Sequence, residues 1–347
     1  MTHLTPLVAA ARTDPSAYAA IVDRFQDAAF ATAYARLGCA QQAREVAQEA
    51  LLEGWVRLET LRVDEAFTSW FRRIVFKQID RVTRRKSLSL VPLHAIALPG
   101  VVPRDTAEAQ QLRDRITAGL DQLSEPLRTT FTLFYLAGWP ITEIAAWLQI
   151  PPGTIKKRLH TARRRLQADM EDVMTDYLTR ARPSADGRMA RQIQLYIAAR
   201  SGDLDATTTL LAADPGLVNA PETVDLSDPA VFLLVGGASG HHPLHLAASF
   251  GHATVAAELI RQGAAVNATS RGGLTPLHTA AQLGHTAVVS ALLAGGADRN
   301  ATHDGGLTAL HIAAIRGDAT IAAALLDAGA DPTVAGRGGR TPAHWAS

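Results

Sequence analysis

TEIAAWLQIPPGTIKKRLHTARRRL (142–166) decides how the first half of this 347-residue chain folds. Thr142 is placed to cap a short apolar helix, and Gln149-Ile150-Pro151 turns the chain tightly into a second one. That spacing predicts a helix-turn-helix. On the second helix Ile155, Leu159, Ala162 and Leu166 fall within one narrow arc and must pack inward. Opposite them lie Lys157, His160, Thr161 and Arg164, flanked by Lys156, Arg158, Arg163 and Arg165. Six of the ten residues 156–165 are Lys or Arg and none is acidic. A solvated surface helix normally interleaves both signs, so a single-signed face points to phosphates. Thr154, Lys157 and Thr161, near the helix start, are placed to read bases, and the arginines to grip the backbone. His160 by itself carries no weight.

Working outward, Ile116, Leu120 and Leu123 end one helix, and Ser124 with Pro126 opens the next, LRTTFTLFYLAG. Before that, residues 87–111 contain three prolines and no sustained period, which reads as a linker. Three amphipathic helices precede it. The first carries Tyr18, Ile21, Val22, Phe25, Ala29, Ala33 and Leu37 at helical spacing. The second carries Ala47, Leu51, Gly54, Leu58 and Leu61 within REVAQEALLEGWVRLETL. The third, FTSWFRRIVFKQIDRVTRRK (67–86), places Phe67, Phe71, Ile74, Val75, Ile79 and Val82 on one arc. Arg73, Lys77, Arg81, Arg84 and Arg85 project opposite, and Trp70 falls on this basic side. A core face plus a solvated charged face accounts for such a helix equally well in isolation. A tryptophan among cations tilts the reading, because an indole offers a surface on which an unstacked base can rest. That combination suits melting DNA.

The second half is repetitive. PLHLAASFGH (243–252), PLHTAAQLGH (276–285) and ALHIAAIRGD (309–318) recur every 33 residues, and TPAHWAS begins a further copy. A degenerate first copy, IAARSGDLDATTTLLAADPGLVN (197–219), is followed by an insertion at 221–241 that breaks the period. Thr275 and Pro276 suit the N-cap and first turn of a helix, and Ala280, Ala281, Ala313 and Ala314 let neighbouring helices approach. These units resemble ankyrin repeats. The resemblance implies a protein-binding surface with an unidentified protein partner. His245, His278, His311 and His344 share the period and invite a metal reading. In ankyrin repeats this histidine bonds locally, and one helix layer, about 10 Å, separates successive rings, so no metal site is expected.

Composition sets the frame. Apolar residues make up 47% of the chain and aromatics 5%, enough for thin helical layers. The single cysteine, Cys39, excludes an internal disulfide framework and a thiolate zinc cluster. Pro6, Arg12 and Asp14 interrupt any signal-peptide pattern, and the apolar run at 230–237 is too short to span a bilayer. The cytoplasm is the expected location, with no membrane association. The net charge of +1 conceals a division. Residues 1–182 hold 25 Lys/Arg against 20 Asp/Glu, and residues 183–347 hold 9 against 13.

The two basic helical units, in this order, resemble a bacterial sigma factor of the extracytoplasmic-function (ECF) group over about residues 10–175. REVAQEALLEGW is similar to region 2.2, which docks on core RNA polymerase. FTSWFRRIVFKQIDRVTRRK is similar to regions 2.3–2.4, which open and read the −10 element. The stretch 120–166 is similar to region 4, which reads the −35 element. The resemblance implies that Glu45 and Gln48 contact core polymerase, that Trp70 assists melting, and that Arg158 lies on DNA. Arg44 stands where the group often carries an acid. The implied partners are core RNA polymerase and promoter DNA, with no cofactor and no catalytic residue.

The expected fold is all-α. Its parts are a region 2 helical bundle (10–87), a linker (88–111), a region 4 helix-turn-helix (112–176), a second linker (177–191) and an ankyrin solenoid (192–347). The implied function is promoter recognition and initiation, with a tail for protein interaction or control. A helix-turn-helix regulator without sigma activity and an ankyrin scaffold are the alternatives. Region 2 discriminates, since a plain regulator has no use for Trp70 among arginines.

Overall fold

A computed structural model describes residues 4–86, 118–166, 182–185, 187–220, 242–270, 272–336 and 338–345, and every regular element among them is helical. The chain forms two compact units, residues 1–190 and 191–347. The stretch 88–111, residues 177–181 and 186 of the second linker, and the insertion at 221–241 lie outside the described residues.

The first unit opens with α1 (Leu4–Thr13), α2 (Tyr18–Leu37), α3 (Ala40–Val56) and α4 (Phe67–Lys86). α1 was not among the three helices expected here. It buries Leu4, Val8 and Ala11 and packs on α2, a pattern of only three positions in ten residues. Arg12 at its end pairs with Asp64 at 2.7 Å and donates to the Leu61 carbonyl.

α2 is the central post. Its Ala28, Ala29, Ala31, Ala33 and Ala35 are all fully buried, because α3 and α4 cover one side and a later helix covers the other. Small side chains permit that close approach on every side. Gly54 on α3 serves the same end: a Cβ there would stand 2.8 Å from the Tyr18 hydroxyl and 3.1 Å from the Phe71 ring. That hydroxyl donates to the Leu51 carbonyl at 2.8 Å, pinning α3 to α2. Phe25 meets Phe67 and Phe71 edge-on at 5.3 and 5.5 Å, which joins α4 to the same core.

α5 (Glu125–Tyr135), α6 (Ile141–Leu148) and α7 (Pro152–Leu166) complete the unit. Pro140, not Thr142, is the N-cap of α6. Its extended backbone (φ −68°, ψ 154°) turns its carbonyl to accept from the N–H groups of Glu143 and Ile144, leaving Thr142 exposed within the first turn. The hydroxyl is therefore not needed as a cap.

The second unit stacks helix pairs. They are α8 (Arg188–Ser201) with α9 (Leu204–Ala213), α10 (Pro243–Ser249) with α11 (Ala253–Arg261), α12 (Pro276–Leu283) with α13 (Thr286–Ala294), and α14 (Ala309–Arg316) with α15 (Ala319–Asp327). A short 3-10 turn, Pro342–Trp345, closes the described stack. The first helices α10, α12 and α14 pack in succession, as do the second helices α9, α11, α13 and α15. Asparagines stitch the turns between repeats: Asn219, Asn267 and Asn300 accept from the N–H of Ala265, Asp298 and Asp331 at 2.7, 2.8 and 2.9 Å.

The periodic histidines are structural. The Nδ1 of His278 accepts from the Thr275 N–H at 3.2 Å, and its Nε2 reaches the Leu307 carbonyl of the next repeat at 3.1 Å. His311 repeats this with Thr308 and Arg340, and His245 reaches the Leu274 carbonyl. Both ring nitrogens are thus spent, with the proton on Nε2. Gly251 shows why a glycine follows the first helix of a repeat. Its φ of +78° is left-handed, and a Cβ would stand 2.8 Å from the His285 ring.

Candidate nucleic-acid interface

α7 folds as its pattern predicts. Ile155, Leu159, Ala162 and Leu166 are buried, the first three at 0, 3 and 0% exposure, against α5 and α6. Lys156, Lys157, His160, Arg164 and Arg165 are exposed, and Thr154, Arg158 and Thr161 half-buried. Nothing lies within 4 Å of the position a Gly153 Cβ would take, so the helix start is open. The Thr161 hydroxyl donates to the Lys157 carbonyl at 2.9 Å and keeps its oxygen free to accept. Arg163 is held differently from its neighbours: its Nε donates to the Tyr135 hydroxyl at 2.7 Å, and its guanidinium lies over the Phe134 and Tyr135 rings.

The turn into α7 rests on Gln149, whose φ of 57° makes it the one non-glycine in the left-handed region among the described residues. A polar, unbranched side chain tolerates that conformation better than a β-branched one. Pro152 at the first helical position loses no hydrogen bond, and the Pro151 carbonyl accepts from Thr154 and Ile155.

α4 carries the second cationic face. Phe67, Phe71, Ile74, Val75 and Ile79 are buried as expected, but Val82 is only half-buried, near the helix end where the core runs out. Arg73, Lys77 and Arg84 are exposed and Arg81 half-buried; the Arg85 side chain lies outside the described residues. Trp70 is half-buried and touches Phe67 at 5.6 Å, so one edge belongs to the core and the rest stays open. Buried Glu53 on α3 organises this face: Gln78 donates to it at 2.6 Å, and Lys77 and Arg57 lie 3.2 and 3.1 Å away. Nothing in the sequence flagged Glu53, because its position on the apolar side of α3 is legible only beside α4.

Glu45, one of the two residues expected to meet polymerase, is half-buried and accepts from Gln41 at 2.8 Å. The other, Gln48, is only 5% exposed. Arg44 lies 6.0 Å from the Phe30 ring centre.

The two basic units are not separate bodies. α5 and α6 pack on α2 and α4. The Trp147 indole donates to the Thr32 hydroxyl at 3.0 Å, and the Thr132 hydroxyl to the Ala31 carbonyl at 3.1 Å, both buried. Phe25 meets Trp139 and Trp147 at 5.7 and 6.1 Å. Arg24–Glu143 (2.9 Å) and Arg36–Glu125 (2.6 Å) pair across the seam. Arg36 and Arg72 both lie over Phe76, at 4.6 and 4.7 Å. Burial, then the nearby Arg36, pushes the Arg72 pKa below its ordinary value, and its guanidinium donates to the Gln149 side chain at 3.1 Å. A signal for this seam was present: AAFATAYA (28–35) is nearly apolar around the whole helix, which demands cover on every side.

Parts of the chain match known families. Residues 21–88 match the family model Sigma-70 region 2, and residues 113–166 match Sigma-70, region 4. Residues 195–303 and 291–347 match ankyrin repeats. The chain is 29% identical over 172 residues to the ECF RNA polymerase sigma factor SigW of Bacillus subtilis, covering 46% of this chain and 92% of that one. It is 28% identical over 177 residues to the RNA polymerase sigma-H factor of Pseudomonas aeruginosa, covering 48% and 92%. To the ECF RNA polymerase sigma-E factor of Escherichia coli K12 it is 27% identical over 135 residues, covering 34% and 69%.

Proposed function

The chain is a sigma factor of the ECF group that carries ankyrin repeats, and from that premise we propose how its residues divide the work. It binds core RNA polymerase and brings it to promoter DNA, acting by binding alone, with no bond made or broken. α7 reads the −35 element in the major groove. Thr154, Lys157 and Thr161 face bases, while Lys156, Arg158, His160, Arg164 and Arg165 hold phosphates. α4 meets the −10 element, where Arg73, Lys77, Arg81, Arg84 and Arg85 bind the backbone and Trp70 stacks on an unpaired base. Glu45 and Gln48 on α3 contribute to polymerase docking. The repeats take a protein partner, and the exposed Leu283 and Ile315 at the ends of their first helices suit an apolar contact. Transcription places this work in the cytoplasm.

The observation that carries the reading is the pairing of two cationic helices in one unit, the second free of acids, with Trp70 on the first. A plain helix-turn-helix regulator needs only α7. Run-off transcription with core polymerase on a pool of genomic fragments separates the two. A sigma factor yields transcripts starting downstream of a shared pair of motifs, and permanganate-reactive thymines near the start that Trp70→Ala removes. DNA binding without polymerase, and no transcript with it, would replace this reading by the regulator.

A further inference from the structure

Given that α4 and α7 address the two promoter elements, we propose that the sigma half has a closed, self-inhibited state, and that Arg182–Ala185 is the latch that holds it shut. Elements named for positions 10 and 35 before the start lie about 25 base pairs apart, roughly 85 Å along a duplex at 3.4 Å per step. The seam brings the two regions into direct contact instead, with Trp147 bonded to Thr32 at 3.0 Å and Phe25 6.1 Å from the Trp147 ring. The turn of the helix-turn-helix is itself engaged: Gln149 accepts from Arg72, which sits between Trp70 and Arg73 on α4. α4 and α7 therefore reach their two elements together only after the seam parts. Gln48 on the docking helix, 5% exposed, is likewise not presented.

The latch follows region 4 in the chain yet binds region 2. Pro183–Ala185 forms a 3-10 turn against α2. The Ser184 N–H donates to one oxygen of Asp27 at 2.9 Å and its hydroxyl to the other at 2.5 Å. Pro183 is buried beside it, and the Arg182 charge attracts the same carboxylate. Asp27 itself is 7% exposed, between buried Gln26 and Ala28 on α2. A carboxylate at such a place costs desolvation and is useful only if donors reach it. Burial accordingly raises the Asp27 pKa, and the two Ser184 bonds oppose that rise. With the latch seated, the fifteen residues 167–181 tether the end of α7 to α2, and at full extension they reach at most about 55 Å, so both elements can be engaged together only once the latch releases. Residues 186 and 187 alone separate the latch from α8, the first repeat helix, so the latch is also the covalent junction with the array.

The test uses the full chain with Cys39→Ser and spin labels at Glu59→Cys and Gln122→Cys, exposed positions outside the DNA-facing sets. Electron–electron resonance then reads the separation of regions 2 and 4. The parent gives one short distance. Ser184→Ala and Asp27→Ala each add a long-distance population and tighten core polymerase binding about three- to tenfold, since apparent affinity scales with the open fraction. Ser184 is exposed, so its truncation leaves the core intact, and circular dichroism confirms the fold of both variants. A long distance in the free parent, or an unchanged short distance in both variants, overturns the latch. Transcription separates this failure from the other. Latch-dependent opening with no promoter-directed transcript from any variant leaves the latch and removes the sigma role. Transcripts with a latch-independent distance do the reverse.

Discussion

Replacing Thr32 by valine tests the seam between the two DNA-facing regions at its most buried polar point. Thr32 is fully buried on α2, and its hydroxyl accepts from the equally buried Trp147 indole at 3.0 Å. Valine keeps the shape and the β-branch, so packing and helix propensity change little. The indole N–H, however, is left without an acceptor in a site closed to water. Such an orphaned donor costs about 1–3 kcal/mol. The Thr32 hydroxyl also donates to the Ala28 carbonyl at 2.7 Å, a local bond whose loss matters less because that carbonyl serves the helix ladder. In a unit of this size each kcal/mol lowers the melting midpoint by roughly 2–4 °C, so Thr32→Val should melt about 2–12 °C earlier. Tryptophan fluorescence is the natural assay. Trp55, Trp70, Trp139 and Trp147 belong to the first unit and only Trp345 to the second, so the signal follows the sigma half. Trp147→Phe, alone and combined with Thr32→Val, closes a double-mutant cycle. A shift below half a degree for Thr32→Val, or strictly additive effects in the cycle, would refute the buried bond as the tie across the seam.

Two further outcomes follow from the geometry. His278 in the repeat stack is held to a pKa of about 4, first by burial and then by the nearby His303, whose own pKa burial also lowers. An unfolded histidine near 6.5 gains its proton first, so the array keeps full stability above that pH and loses up to about 3 kcal/mol as pH falls towards 4. Urea midpoints of the array between pH 8 and 4.5 measure this, and a flat profile contradicts it. On α7, Lys157→Ala should cost about 1–3 kcal/mol at the matched −35 sequence and relax the preference for one base pair. Arg164→Ala should instead weaken binding to all sequences alike and lower the salt slope by about one. Fluorescence anisotropy with matched and mismatched duplexes at two salt concentrations distinguishes them, and identical behaviour of the two variants contradicts the division of roles.

Local pattern and tertiary packing divided the information between them. Periodicity alone identified α7 and its buried arc, because Ile155, Leu159, Ala162 and Leu166 recur at the helical period and six cations crowd what remains. A 33-residue repeat likewise specified the stack, since each unit can bury its apolar face only on its neighbour. The capping histidines were legible for the same reason: His278 and His311 bond within four residues and one repeat away. α1, Pro140 as the cap of α6 and the Glu53 cluster were not, because each depends on a partner distant in sequence or on a backbone turn that several residues could make. The contacts most important for control are of that kind. Trp147 meets Thr32 across 115 positions and Ser184 meets Asp27 across 157, and no local period records either pairing. The sequence by itself determined which helices form and which faces carry charge, because those follow from spacing along one element. Only the tertiary structure decided that the two DNA-facing regions close on one another, because that contact is made between surfaces the chain brings together after its helices exist.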